Sequence, residues 1–453
     1  MNFLIGQKLV AQKEFGKALD IFLNLKDKND LTPFYLGLIY FELNNLNKSI
    51  YYYNKFLKKK PNSIVALYNL AFVKQSIGEL EAAKNIYLKL IEIDKNKIRP
   101  FYGLFTLDPN YLSDHDFDKI LEIQKNYSNS LFEEAIINYL LSKKEKKNKK
   151  FSKEIEYLKN SHDLIFKSKK QNNTSSQFYY NKIISKFYDK IKFINKNNNK
   201  FNNNKIIPIF IVGMPRSGST LVEAILSSGS ENVNSLGECH VANISSLEQI
   251  GAKIYTKDFD IKKFSFEINL KSFNDSVLRR YKQFNLNKTK DHQIIIDKSL
   301  ENFFNIESIL KIFPNAKFLH TFRNPSDSII SIFQSMLAEL SWTHSFDDIL
   351  NYYDNYHKIM NFYKNRFPKS IMDIDLEKFT NNSNHISKEI YEFCGLKWRQ
   401  EVLEFYKRNN LHSKTLSFAQ IRNEVSKYNV SKYEPYLHLL DEYKTKFEWL
   451  NTQ

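Results

Sequence analysis

The residues best suited to chemistry run from Pro208 to Leu226, PIFIVGMPRSGSTLVEAIL. An apolar run long enough for a buried strand is followed by Gly213, Pro215, Arg216, Ser217, Gly218, Ser219 and Thr220, and then by an amphipathic helix pattern. A loop of this shape points successive backbone N–H groups and the positive end of a helix at one spot, which suits a phosphate or a sulfate. An ordinary strand-turn-helix with polar residues is the plain alternative. Shortly after it, LGECHVANI (Leu236 to Ile244) offers the carboxylate of Glu238 and the imidazole of His240, either of which can take a proton from a reacting hydroxyl.

The loop resembles the nucleotide-triphosphatase pattern GxxxxGK[ST], but Ser219 stands at the lysine position. A triphosphatase sets that lysine against the β- and γ-phosphates and the next hydroxyl on magnesium, whereas a monophosphate carrying a sulfuryl group needs no bridging metal. A second polar cluster, FPNAKFLHTFRNPSDSIISIF (Phe313 to Phe333), reads as a strand, then Arg323-Asn324-Pro325, then a helix carrying Ser331 eight residues beyond the arginine. An arginine at a strand end is by itself a common surface ion pair.

The elements that must position these residues belong to a chain of 453 residues, long enough for two or three domains. A hydrophobic share of 42% with 15% aromatics can bury real cores, and 26% charged residues is ordinary for a globular protein. No stretch of about 18 apolar residues is present, and Met1 to Val10 has neither a basic cluster nor a small-residue cleavage site, so no membrane span and a cytoplasmic location are expected. Cys239 and Cys394 are too few for a disulfide framework or a thiolate metal site and read as ordinary thiols. The formal charge of +17 invites a nucleic-acid reading. Much of it, however, lies in SKKEKKNKK (Ser142 to Lys150) and NKNNNKFNNNK (Asn195 to Lys205), which carry little aromatic interleaving. Both read as solvated, biased segments, and no nucleic-acid partner is expected. A basic surface also suits a polyanionic cofactor or an acidic acceptor.

The N-terminal part repeats itself. At a period of 34, Leu36, Gly37, Ser49, Tyr53 and Phe56 superimpose on Leu70, Ala71, Ala83, Tyr87 and Leu90. A preceding copy has Ile5, Gly6, Leu9, Ala18, Phe22 and Leu25 in the same places, with a connector three residues shorter. Two apolar helices per repeat, with small residues where they touch, resemble tetratricopeptide repeats, although the consensus tryptophan is absent. The expected organisation is repeats over 1–100, a further helical region over 101–192, and an Asn/Lys-rich linker over 193–205. Short apolar runs then alternate with helical patterns over 206–453: Ile206 to Gly213, Gln293 to Ser299, Lys317 to Arg323 and Ser370 to Leu376. That alternation predicts an α/β domain with a P-loop-like parallel sheet flanked by helices, behind an all-α repeat superhelix. Aromatics at helical spacing from Phe346 to Pro368 are expected in the core.

The loop at Arg216 to Thr220 resembles the 5′-phosphosulfate loop of sulfotransferases that use 3′-phosphoadenosine 5′-phosphosulfate (PAPS), especially tetratricopeptide-repeat sulfotransferases and tyrosylprotein sulfotransferases. The resemblance implies that Arg216, Ser217, Gly218, Ser219 and Thr220 hold the phosphosulfate. It implies that Arg323 and Ser331 clamp the 3′-phosphate, a guanidinium fork and a hydroxyl converging on a dianion. Lys298, in IDKSLENFF, takes the place of a lysine that stabilises charge on the departing phosphate. Glu238 falls where those enzymes carry the catalytic glutamate, with Cys239 in place of a second acid and His240 as the alternative base. HSKTLSFAQIRNEVSKYNVSKYEPY (His412 to Tyr436) is similar to their C-terminal cofactor loop. Ser417, Gln420, Arg422 and Lys432 would then lie against the nucleotide, Ser417 and Lys432 nearest its phosphosulfate half, with Ser417 acting alongside Lys298 on the leaving group. Tyr433 replaces a usual tryptophan and Leu376 a usual tyrosine.

What the resemblance implies is transfer of a sulfuryl group from PAPS, without a metal, to a hydroxyl of a protein tyrosine, glycan or small molecule, giving adenosine 3′,5′-bisphosphate. The repeats would present a peptide or glycan acceptor, or mediate self-association into a homo-oligomer. The competing readings are a P-loop kinase using ATP and a repeat scaffold with an inactive transferase domain.

Overall fold

The computed structural model describes residues 2–25, 29–126, 130–195, 201, 203, 205–229, 233–256, 258–284, 293–408, 413–414 and 420–451. The chain divides into two compact units, one drawn from Met1–Asn129, Arg279–Leu286 and Lys407–Arg422, the other from Ser130–Leu278, Asn287–Tyr406 and Asn423–Gln453.

In the first unit the helices come in pairs: α1 (Asn2–Ala11) with α2 (Phe15–Asn24), α3 (Thr32–Glu42) with α4 (Leu46–Lys59), and α5 (Ile64–Ile77) with α6 (Leu80–Ile93). They are followed by α7 (Arg99–Leu107) and α8 (Asp114–Asn126). The small residues do sit where helices touch. A Cβ on Gly37 would lie 2.9 Å from the Tyr53 ring, and one on Gly103 would lie 2.4 Å from the Tyr87 ring, so the stacking continues into α7. Each pair turns through a left-handed residue, Lys13, Asn44 and Gly78. These are 31 and 34 residues apart, which is the shortened first connector seen in the sequence. Glu14 accepts from Arg279 and lies 3.2 Å from Arg280, while Lys414 donates to the Phe41 carbonyl at 2.6 Å. Residues distant in sequence thus complete the repeat unit.

The second unit starts with α9 (Leu131–Lys147), α10 (Phe151–Ser168), α11 (Lys170–Phe178) and the short α12 (Ser185–Phe187). The helical region expected as one block over 101–192 is therefore divided at Asn129. The physical reason is burial: Glu154 on α10 is 0% exposed and accepts from Tyr436 at 2.6 Å, and His162 bonds the Phe333 carbonyl at 2.7 Å. The expected linker is also partly structured. Strand β1 (Lys192–Ile194) pairs in parallel with β4 (Glu267–Asn269), and Asn203 donates to Asn274 at 2.7 Å and to the Ile312 carbonyl at 2.9 Å.

The main sheet is parallel, in the order β3-β5-β2-β6-β7, formed by β2 (Ile206–Gly213), β3 (Val233–Ser235), β5 (Gln293–Asp297), β6 (Lys317–Phe322) and β7 (Ile371–Asp375). Its central strand reads IIPIFIVG because both faces are covered, the usual composition of a parallel sheet. Pro208 pairs with Ile295 of β5, one residue before β6 joins on the other side at Ile209, so it sits where β2 has one neighbour. The helices that follow are α13 (Ser219–Ser228), α14 (Val241–Ile254), α15 (Leu270–Lys282), α16 (Ile306–Ile312), α17 (Pro325–Phe333), α18 (Phe346–Arg366), α19 (Leu376–Asn381) and α20 (Ser383–Phe393). The α18 aromatics Phe346, Tyr352, Tyr353, Tyr356 and Tyr363 are buried, as their spacing predicts.

Candidate active site

The cradle forms where β2 ends. Gly213 has φ +142°, and a Cβ there would lie 2.2 Å from the Thr321 carbonyl of β6, so only glycine lets the chain turn out of the sheet. Ser217 donates to the Met214 carbonyl at 2.6 Å and shares a hydrogen bond with the Thr321 hydroxyl at 2.8 Å, which pins the loop from inside. Arg216 (φ +67°) and Gly218 (φ +88°) both adopt left-handed backbone. A Cβ on Gly218 would meet Leu376 at 2.4 Å, so Leu376 packs directly on the cradle. Ser219 and Thr220 open α13, each 7% exposed.

The first turn and a half of α13 carries a residue that sequence reasoning missed. Glu223 points to the sheet, accepts from Ser235 at 2.5 Å and lies 3.6 Å from Lys298 at the end of β5. The signal was present: an acid one turn after the cradle, embedded in the apolar run LVEAIL. Lys298 is 1% exposed, and its ammonium also donates to Glu238 Oε1 at 2.8 Å. Burial alone would lower its pKa, but Glu238 and Glu223 hold it above the ordinary lysine value. Burial raises the Glu223 carboxyl, with Lys298 opposing. Glu238 is 44% exposed, so one end of this trio is buried and the other faces solvent.

The neighbours of Glu238 are used otherwise. The Cys239 thiol is pushed well up by burial and by its hydrogen bond to Asp297, so a second acid at this position would face a carboxylate. His240 has φ +52° at the start of α14, and its backbone N–H is tied to the Ser299 hydroxyl at 2.7 Å. Of the two base candidates, Glu238 is the one brought onto Lys298.

The second cluster is organised by α17. Asn324 caps the helix, accepting from the Asp327 N–H at 3.1 Å, and Pro325 occupies the first helical position, where its missing N–H costs nothing. Arg323, 6% exposed, donates to the Asp327 carbonyl at 2.8 Å while its Nε lacks a hydrogen-bond partner. The guanidinium lies over the rings of Tyr428 and Tyr433, 5.7 and 5.3 Å from their centroids. The Tyr433 hydroxyl bonds Ser331 and Arg323; burial would raise its pKa, but Arg323 and Lys432 hold it below the ordinary phenol value. Burial depresses the Arg216 guanidinium, and Arg323 adds to this while Tyr433 and Tyr139 oppose it. Lys432 is exposed, its Nζ 5.3 Å from the Tyr433 ring centroid. The buried Arg323 Nε and the cations gathered around it fit a ligand with several negative charges.

Of the C-terminal expectations, Ser417 and the Gln420 side chain lie outside the described residues. Arg422, expected against the nucleotide, lies in the repeat unit: it donates to the Ser76 carbonyl at 3.4 Å, in the last turn of α5, and packs on Gly78. Helix C-termini attract cations through their unsatisfied carbonyls, which accounts for the contact. Lys143 and Lys146, read as part of a solvated charge run, are half-buried on α9 and engage Gln334. No group of three His, Cys, Asp or Glu side chains able to hold a metal ion is present among the described residues.

Residues 208–400 match the model of the "Sulfotransferase family", and residues 64–97 that of the tetratricopeptide repeat. Over 96% of its length the chain is 27% identical to an uncharacterised protein of Aquifex aeolicus (strain VF5), covering 58% of that protein. It is 33% identical over 94 residues to the ycf37 protein of Guillardia theta, covering 20% of this chain and 52% of that one. The chain thus spans little more than half the length of these curated relatives. Among solved structures, it is similar to the sulfotransferase domain from the Synechococcus PCC 7002 olefin synthase (TM-score 0.37, 15% identity, 53% of this chain and 90% of that one). It is also similar to a sulfotransferase from Alicyclobacillus acidocaldarius (TM-score 0.30, 16% identity, 43% and 87%).

Proposed function

From a chain whose residues 208–400 belong to the sulfotransferase family, behind tetratricopeptide repeats, we propose an enzyme that moves a sulfuryl group from PAPS to a hydroxyl of an acceptor. The observation that carries this reading is the Lys298 ammonium, buried beside the cradle helix between Glu223 and Glu238. Such a charge, fixed before reaction, is what a developing negative charge on a departing phosphate requires.

When bound, PAPS would supply the sulfuryl group and leave as adenosine 3′,5′-bisphosphate. The residues of the cradle, Arg216 to Thr220, would hold the 5′ end through backbone N–H groups and the start of α13. Arg323 and Ser331 would hold the 3′ end, and Lys432, expected nearest the phosphosulfate, would join them there because it sits beside Tyr433. Glu238, the exposed carboxylate, takes the proton of the acceptor hydroxyl. Lys298 keeps its charge through the reaction, since two carboxylates hold it protonated. Glu223 stays buried and positions Lys298. The repeat unit has the architecture of a protein-binding surface, and we assign recruitment of the acceptor to it.

Binding separates this reading from an ATP-using kinase. Calorimetry should show metal-independent binding of adenosine 3′,5′-bisphosphate and much weaker binding of ATP with magnesium. Tight ATP binding with none for the bisphosphate would overturn it.

A further inference from the structure

Two lysines on α9, a helix outside the segment matched by the sulfotransferase model, reach the end of the clamp helix α17. Lys143 Nζ donates to the Gln334 carbonyl at 2.6 Å and Lys146 Nζ to Gln334 Oε1 at 2.8 Å. Gln334 is one turn beyond Ser331, and its N–H bonds the Ile330 carbonyl at 2.8 Å, so it continues the same helical path. The C-terminal segment repeats the spacing. Tyr433 bonds Ser331, while Tyr436 donates to Glu154 Oε2 at 2.6 Å and has Lys146 Nζ 5.2 Å from its ring centroid. Lys143 and Lys146, Ser331 and Gln334, Tyr433 and Tyr436 are each three residues apart, the separation that sets two side chains on one helix face.

Charge around this junction does not balance. Lys143, Lys146, Arg216, Arg323 and Lys432 gather there against two buried acids, Glu154, 3.7 Å from Lys146, and Asp327, whose carboxylate faces Arg323 and Lys432. Burial pulls the Lys143 ammonium down to about 7; Lys146, Arg216 and Lys432 add to this and Glu154 opposes it. Partly buried cations in such excess are costly unless an anion neutralises them, and a dianion does so best.

We infer that Lys143 and Lys146 are specificity residues for the 3′-phosphate, extending the Arg323 and Ser331 clamp with a second pair of cations from α9. The inference rests on the PAPS reading given above. It gives a role to a charge run that composition alone marks as solvated, and it explains why α9 and α10 belong to the transferase unit rather than to the repeats.

The test compares adenosine 3′,5′-bisphosphate with adenosine 5′-monophosphate by calorimetry on the full chain and on Lys143→Met and Lys146→Gln, with thermal melts alongside. Removing either charge should weaken bisphosphate binding about tenfold or more, as expected for a charge-assisted hydrogen bond. Monophosphate affinity should stay within about twofold, the ligand lacking the group these lysines are proposed to contact. Unchanged bisphosphate affinity, which would point to a role toward an acidic acceptor, overturns the assignment. Equal weakening for both nucleotides overturns it too. Lys146 is partly exposed, so Lys146→Gln decides the matter should Lys143→Met fail to fold. A parent chain that binds no bisphosphate would remove the sulfotransferase reading itself, and this assignment with it.

Discussion

Lys298 Nζ lies 2.8 Å from Glu238 Oε1, joining a lysine that is 1% exposed to a carboxylate that is 44% exposed. The second carboxylate on that ammonium, Glu223, is almost as buried as the lysine. The two acids therefore have different roles open to them: Glu238 can meet an incoming hydroxyl, and Glu223 can only hold Lys298.

Glu238→Gln should lower sulfate transfer by about 10²- to 10⁴-fold, the range for loss of a general base. Nucleotide affinity should not change, because the role proposed for this exposed carboxylate is toward the acceptor. Parallel turnover and calorimetry measurements check this, and a variant with near-normal turnover would move the role of base to His240.

Lys298→Met should destabilise the protein by about 3 kcal/mol near neutral pH, because it leaves the buried Glu223 without its cation. The sign with pH follows from Glu223, whose carboxyl is already raised above 4.5 by burial. A carboxyl raised on folding contributes stability below its unfolded pKa and loses it as pH rises through the folded value. The deficit of the variant should therefore be small near pH 4 and grow toward pH 7, as read by urea denaturation across that range.

Tyr433 occupies the hydroxyl and guanidinium expected to hold the 3′-phosphate. Removing its own hydroxyl, in Tyr433→Phe, frees both groups and should tighten bisphosphate binding about fivefold, the worth of one hydrogen bond of about 1 kcal/mol. Weaker binding would instead make the phenol a phosphate ligand.

How much of this was legible in the sequence follows from local versus tertiary information. Strands β2, β5, β6 and β7 were readable because a parallel sheet covered on both faces demands continuous apolar runs. Strands β1, β3 and β4 are three residues each and leave no such run. The cradle was readable because Gly213, Gly218 and the hydroxyls are dictated by backbone geometry. Glu223 was not, since an acid on a helix looks like its solvated face until the sheet is placed beneath it. The same blindness hid Lys143 and Lys146, whose direction is set by Gln334, nearly two hundred residues away. Arg422 fitted a motif, yet the carbonyl that receives it belongs to α5.

Arg422→Ala should accordingly leave bisphosphate affinity unchanged and cost the repeat unit about 1 kcal/mol, the loss of a charge-assisted contact to a helix C-terminus. Calorimetry and thermal unfolding together check this. A tenfold fall in affinity would return Arg422 to the nucleotide site.

Bisphosphate affinity should also report Lys143, whose ammonium is pulled down to about 7 and so loses its proton through the neutral range. Lys146, Glu154, Arg216 and Lys432 face it and set that value. A bound phosphate favours the charged form, so binding takes up a proton above pH 7 and affinity should fall from pH 7 to about 9. Calorimetry across that range checks it, and the slope should vanish in Lys143→Met.

The most direct test of the central claim is transfer of radiolabelled sulfate from PAPS into a fractionated cell extract, with magnesium chelated. The chain should label a hydroxyl-bearing acceptor and release adenosine 3′,5′-bisphosphate, and Lys298→Met and Glu238→Gln should not. No label from PAPS, together with phosphate transfer from ATP and magnesium, would contradict it.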